Sequence, residues 1–150
     1  MGETERIVQR MSDQGLRITE QRRTLAQLFA EAPGYLTPKE IYDHMQRVYP
    51  GLSFDTVYRN LRVMQELDVI EQFMLEEGVK FKRSCGEPHH HHHMICLQCE
   101  KTVPIRSCPM PDTAVPSGFE VVRHKFEVYG YCADCRESGD RAQASAGRTP

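Results

Sequence analysis

Pro50-Gly51-Leu52-Ser53-Phe54-Asp55-Thr56-Val57-Tyr58-Arg59-Asn60-Leu61-Arg62 is the stretch whose reading decides the fold. The Pro-Gly pair breaks one helix. Ser53 is a good N-cap for the next, over Phe54 to Leu67. Phe54, Val57, Leu61 and Met64 recur at helical spacing as the expected buried stripe. Asp55, Tyr58, Arg59 and Arg62 fall on the opposite side. A helix, a tight turn and a second helix with an Arg/Tyr outer face is the layout of a helix-turn-helix.

Upstream, residues 3–14 read as an amphipathic helix carrying Ile7, Val8 and Met11 on one face, stopped by Gly15. Thr19 caps a helix over Glu20 to Ala32, with Leu25, Leu28 and Phe29 inward. Thr37 caps the next, with Pro38 at its first position and Ile41, Tyr42, Met45 and Val48 inward. Downstream, Val69 to Leu75 and Val79 to Cys85 read as a hairpin around the three-residue loop Glu76-Glu77-Gly78. Helices followed by a hairpin make a winged helix-turn-helix over residues 1–85.

Gly86-Glu87-Pro88 reads as a hinge, because composition changes there. Six of the seven histidines, and every cysteine except Cys85, lie beyond it. Residues 91–96, 101–106 and 119–131 read as strands, the last rich in β-branched and aromatic side chains. Three prolines in 109–117 exclude a long helix there. Residues 138–150 are small and polar, and expected to be disordered. The fold class is therefore α+β: a winged-helix domain over 1–85, a hinge at 86–88, and a small α/β domain over 89–137.

At 150 residues, with 39% apolar and 27% charged content, the chain belongs with globular proteins. Net charge is -2, and neither half is strongly basic, which argues against bulk electrostatic binding of nucleic acid but leaves room for a local basic patch. No apolar run approaches the roughly 20 residues that span a bilayer. The polar start, Met1-Gly2-Glu3-Thr4-Glu5-Arg6, lacks a signal-peptide core, so the expected location is the cytoplasm. In that compartment, paired cysteines point to metal or redox chemistry. No His-Glu-x-x-His pattern or other catalytic motif appears, so no enzyme activity is expected.

The metal chemistry lies in His89-His90-His91-His92-His93-Met94-Ile95-Cys96-Leu97-Gln98-Cys99 and in Cys132-Ala133-Asp134-Cys135. An internal His run that flows into a Cys pair is not the pattern of a terminal purification tag. Cys96, Cys99, Cys132 and Cys135 suit a tetrahedral zinc with no open position, hence a structural one. A redox dithiol is the competing reading. Strand alternation sends His91 and His93 to one face and His90 and His92 to the other. Glu71, Cys85, His91 and His93 would together offer one carboxylate, one thiolate and two imidazoles. That set favours zinc; iron or manganese prefers more oxygen. Taken singly, Cys85 also reads as a small hydrophobe and Glu71 as a solvated strand residue. His90, His92 and His124 form a possible third set, with Cys108 and Asp112 as candidates for a fourth ligand.

The motifs Gly15-Leu16-Arg17-x-Thr19-x-x-Arg22, Ser53 to Leu61, the His run leading to Cys96-x-x-Cys99, and His124-x-x-x-x-Tyr129-Gly130-x-Cys132 resemble the ferric uptake regulator family over about residues 5–137. Within that family the chain looks most like the zinc uptake branch. The resemblance implies a homodimeric repressor whose second domain dimerises and whose partner is a duplex operator, with no membrane and no small-molecule substrate. It implies that Tyr58 and Arg59 lie on the recognition helix and that Arg17 reaches the minor groove. The candidate DNA contacts are Arg17, Arg22, Thr56, Tyr58, Arg59 and Arg62, with Arg23, Lys80 and Lys82 as further cations. It also implies a structural Zn2+ on the four cysteines and a regulatory Zn2+ on Glu71, Cys85, His91 and His93. Iron and peroxide sensors of the family use an acidic ligand where this chain has Pro104, and a histidine near Ala32-Pro33-Gly34. An iron- or peroxide-sensing regulator is the alternative.

Overall fold

Three hydroxyl side chains start three of the helices. Thr19 accepts the Arg22 backbone N–H at 3.3 Å and Ser53 accepts that of Thr56 at 3.2 Å. Thr37 and Glu40 cap each other reciprocally, at 3.1 and 2.7 Å. Each such cap contributes about 1 kcal/mol. In the computed structural model the helices are α1 (Glu3–Asp13), α2 (Glu20–Glu31), α3 (Pro38–Val48) and α4 (Phe54–Glu66). Gly51, at a φ of 88°, makes the turn into α4 in the left-handed region. The structure describes residues 1–85 and 92–138. The expected hinge 86–88, His89, His90, His91 and the tail beyond Ser138 lie outside the described residues.

The chain forms two compact units, Met1–Gly86 and Glu87–Pro150. In the first, β1 (Ile70–Leu75) and β2 (Gly78–Arg83) pair antiparallel. Leu36 adds a bridge to Phe81, with backbone hydrogen bonds of 2.7 and 2.8 Å. The core gathers Ile7, Met11, Leu25, Phe29, Ile41, Met45, Val57, Leu61, Met64 and Phe81. Phe81 is 1% exposed and sits where the hairpin meets the helices. Phe81→Ala is expected to cost about 3–5 kcal/mol, because collapse fills a phenyl-sized hole only in part. Denaturant unfolding of the first unit measures it.

Several expected details change. Phe54 leaves the buried stripe and is 45% exposed, stacked on Tyr58 at 5.8 Å and edge-on to Tyr42. It is the first residue of α4, so half of its surroundings lie beyond the helix. Val48, at the last position of α3, is likewise exposed, while Ala26 joins the core. The hairpin loop has two residues rather than three. Leu75 pairs with Gly78, whose φ of 121° is open to glycine alone. Cys85 lies past the end of β2.

In the second unit β3 (His92–Cys96) is central, antiparallel to β4 (Thr102–Ile105) and parallel to β5 (Glu127–Gly130). A 3-10 turn, Met110–Asp112, and a short helix, α5 (Ala133–Glu137), complete it. The strand expected over 119–131 shortens to β5. Residues 119–126 pair with no other strand among the described residues, and Phe119 and Val122 are 70% and 90% exposed. Strand propensity expresses fit to a neighbouring strand, and among the described residues no such neighbour lies beside this stretch.

Candidate functional site

The four-cysteine site is built by two chain ends meeting at one sheet. Cys96 closes β3, and Glu100, at a φ of 61°, turns the chain back so that its N–H reaches the Cys96 carbonyl at 2.9 Å. Leu97 N–H binds the Gly130 carbonyl at 2.8 Å, which brings the end of β5 alongside. Cys132 then N-caps α5, and Cys135 follows one turn later. The four Sγ atoms lie within 4.8 Å of one another. Cys99 and Cys132 Sγ stand 3.8 Å apart. Sulfurs on a tetrahedral zinc with bonds of about 2.3 Å stand about 3.8 Å apart. A disulfide would need about 2.05 Å. The residues therefore fit the metal.

Electrostatics agrees with the geometry. Burial pushes the Cys96 thiol up, yet N–H groups of Cys99, Cys132 and Gln98 aimed at it bring it down to about 6. Cys135, hydrogen-bonded to Cys132 and partly desolvated, is pushed up to about 12. One thiolate forms readily and the last resists. A divalent cation removes that conflict, since a bound metal deprotonates its thiols.

A second cluster includes His92 of the same strand. His92 Nε2 lies 3.3 Å from Cys108 Sγ, Cys108 Sγ lies 3.1 Å from His124 Nε2, and the two imidazole nitrogens are 3.2 Å apart. His92 and His124 belong to the expected third set; His90 is outside the described residues. Of the two candidates for a fourth ligand, the structure brings in Cys108. Asp112 lies exposed on the 3-10 turn and is not in the cluster.

The remaining metal candidates divide between the units. Glu71 is half-buried on β1, and Cys85 is exposed past β2. His93 is buried on β3, in register with Pro104 of β4 on one side and Glu127 of β5 on the other. Glu127 was given no role by the sequence reading. Its carboxylate is mostly buried, lies 2.7 Å from Lys125 Nζ and accepts from the Tyr129 hydroxyl.

The face of α4 carries Tyr58, Arg59 and Arg62, all exposed, and Arg17 is exposed before α2. Thr56 is half-buried, its hydroxyl 2.9 Å from that of Ser53. Arg22 behaves differently: its Nε donates to Asn60 Oδ1 at 3.0 Å and its Nη1 to the Arg17 carbonyl at 2.7 Å. Asn60, the one buried polar side chain of α4, also donates to the Thr56 carbonyl at 3.2 Å. The pair ties α2 to α4. Sequence reasoning missed Asn60, although a polar residue at i+3 from Val57 in an apolar stripe is a signal for such a tie. On the hairpin, Lys80 pairs with Glu77 at 3.3 Å. Lys82 lies 5.2 Å above the Tyr35 ring.

The ferric uptake regulator family model matches residues 13–129. The chain is 39% identical over 130 residues to the ferric uptake regulation protein of Staphylococcus epidermidis, covering 85% of this chain and 93% of that protein. It is 37% identical over 128 residues to the Staphylococcus aureus protein of the same name, covering 85% and 93%. A zinc uptake regulator complexed with zinc and DNA shares the fold at a TM-score of 0.76 and 21% identity, over 93% of this chain and 98% of that one. The Helicobacter pylori ferric uptake regulator does so at 0.57 and 21%, over 89% and 93%. By the extent of the family match and the identity to the staphylococcal proteins, this chain belongs to the ferric uptake regulator family of metal-binding transcription regulators.

Proposed function

We propose that the protein is a cytoplasmic, homodimeric repressor that binds a palindromic operator when zinc is available and so controls zinc uptake genes. Its structural zinc is held by Cys96, Cys99, Cys132 and Cys135. Its regulatory zinc is held by Glu71, Cys85, His91 and His93, with His90, His92 and His124 contributing to a further site. The observation that supports zinc most is the pairing of His93 with Pro104. The position that brings an oxygen ligand in iron and peroxide sensors is here a proline, and Cys85 offers sulfur, so the donor balance favours zinc. The names of the staphylococcal relatives favour iron, which makes an iron-sensing repressor the second reading.

The mechanism is a population shift. Glu71 and Cys85 of the first unit and His91 and His93 of the second would hold the zinc, and shared ligation of this kind would favour the dimer arrangement in which the two recognition helices are spaced for the operator. Moving an equilibrium from 1:99 to 99:1 takes about 5.5 kcal/mol. Zinc on thiolate and imidazole ligands binds by roughly 10 kcal/mol or more, so a fraction of its binding energy suffices. Metal content per chain before and after mild chelation tests the site model. One resistant zinc and at least one removable zinc are expected. A zinc-free protein with reversible dithiols would overturn it.

The basic residues separate by role. Arg62→Ala is expected to lower the slope of log affinity against log salt by about 0.9, the signature of one lost phosphate contact. Arg22→Ala removes the tie to Asn60 and leaves a buried amide short of a partner, costing about 1–3 kcal/mol of stability with the slope unchanged. Salt-dependent operator binding and denaturant unfolding of the two variants distinguish them.

A further inference from the structure

Phe54 opens α4 with its ring 45% exposed, although the apolar period of the helix assigns it to the core. A single exposed apolar side chain is ordinary on a protein surface. Phe54 is not placed like one. Tyr58 follows one helical turn later and Arg62 a turn after that, so the three share one ridge of α4, and all three are exposed. The Phe54 and Tyr58 rings stack, with centroids 5.8 Å apart and planes 28° apart. Tyr42 of α3 meets Phe54 edge-on at 5.5 Å. Gln46 in turn donates to the Tyr42 hydroxyl at 2.7 Å and to the Leu52 carbonyl, in the turn between the helices. Three rings thus form a ledge anchored in both helices of the helix-turn-helix.

We propose that Phe54 is a specificity-determining residue of operator recognition, whose ring contacts the 5-methyl group of a thymine in the major groove. The proposal rests on α4 being the helix that reads DNA, and it adds an apolar base contact to the polar and cationic side chains already placed on that face. It is independent of which metal switches the protein.

In a helix-turn-helix the N-terminal residues of the recognition helix meet the base edges. Phe54 holds the first position of that helix. A phenyl ring has no strong hydrogen-bond donor or acceptor, so it pairs with neither a phosphate nor a polar base edge. The apolar group that the major groove displays is the thymine 5-methyl. Setting the exposed ring against it removes apolar surface on both partners from water. Cations that contact phosphates fix register without carrying sequence information, whereas a methyl contact separates thymine from cytosine. Tyr42 and Tyr58 hold the ring before DNA arrives, so little side-chain freedom is left to lose on binding.

The test uses the full chain and duplexes that it selects from a random-sequence pool, with zinc(II), iron(II) and manganese(II) supplied in turn and the metal giving the tightest binding kept. Each thymine of the selected half-site is replaced singly by deoxyuridine, which lacks only the 5-methyl group. At one thymine per half-site the replacement is expected to weaken wild-type binding about fourfold, the worth of one buried methyl group. Phe54→Ala is expected to bind the two duplexes equally. Phe54→Leu, which keeps apolar bulk on the ledge, is expected to regain part of the preference. Neither variant should change the slope of log affinity against log salt, since no charge is lost. A thymine preference kept by Phe54→Ala and lost by Tyr58→Ala would assign the methyl contact to Tyr58 and overturn the proposal. Wild-type protein that binds thymine and deoxyuridine duplexes alike would overturn it too. In either case Arg62→Ala locates the failure: weakened binding leaves α4 as the reading helix and faults Phe54 alone, whereas unchanged binding faults α4 as the reading helix.

Discussion

His93→Ala is expected to weaken operator binding in the presence of zinc about 100-fold, down to the level of protein lacking regulatory zinc. The magnitude follows from the population argument. Apparent affinity scales with the fraction of molecules in the binding-competent arrangement, and loss of the regulatory ion returns that fraction from near 99% to roughly 1%. His93 is a buried residue in the interior of β3, so its backbone is held whatever side chain it bears. The resistant zinc should remain, because the cysteines do not depend on that imidazole. Fluorescence anisotropy with a labelled operator at fixed free zinc reads the affinity, and metal analysis reads the zinc. Affinity within a few fold of wild type would remove His93 from the regulatory site.

Cys96→Ser should act more severely, by unfolding the second unit. The first unit buries many large apolar side chains, whereas among the described residues the second unit buries few beyond Ile95. A small domain with so little core needs a staple. A structural zinc contributes roughly 10–16 kcal/mol, comparable with the whole stability of a typical domain, about 5–15 kcal/mol. Cys96 is the buried thiol of the four, and it also accepts the Cys132 N–H at 3.4 Å. Its loss opens the knuckle at the strand that carries His92 and His93. The variant is expected to lose its chelation-resistant zinc and, by NMR, the dispersed amide signals of β3 to β5. A Cys96→Ser protein that kept both would show that the second unit stands without its metal.

How far the sequence carried the reading depended on whether the forces involved are local. Thr19, Thr37 and Ser53 announce their helices because a cap acts within three residues, and all three cap in the structure. The gathering of the four cysteines was legible because two Cys-x-x-Cys pairs carry the spacing of a four-thiolate set, and their sulfurs do come together. Helix ends were harder: Phe54 and Val48 follow the apolar period, but at a terminus there is no next turn to cover them. Residues 119–126 were misread because a strand requires a partner that sequence periodicity does not supply. Asn60 needed three dimensions, and so did the choice of Cys108 over Asp112. Asn60 meets Arg22, 38 positions away, and Cys108 meets His92 and His124, each 16 positions away. No local pattern records such meetings.

The central claim is that zinc, rather than iron or manganese, converts this protein to its operator-binding form. The most direct measurement is operator affinity of the full chain, retaining only its resistant zinc, titrated separately with buffered zinc(II), iron(II) and manganese(II). The account predicts that zinc restores tight binding at a free concentration far below that needed for either other metal, and that a chelator reverses it. Tight binding switched on by iron(II) or manganese(II) at concentrations equal to or lower than zinc would contradict it.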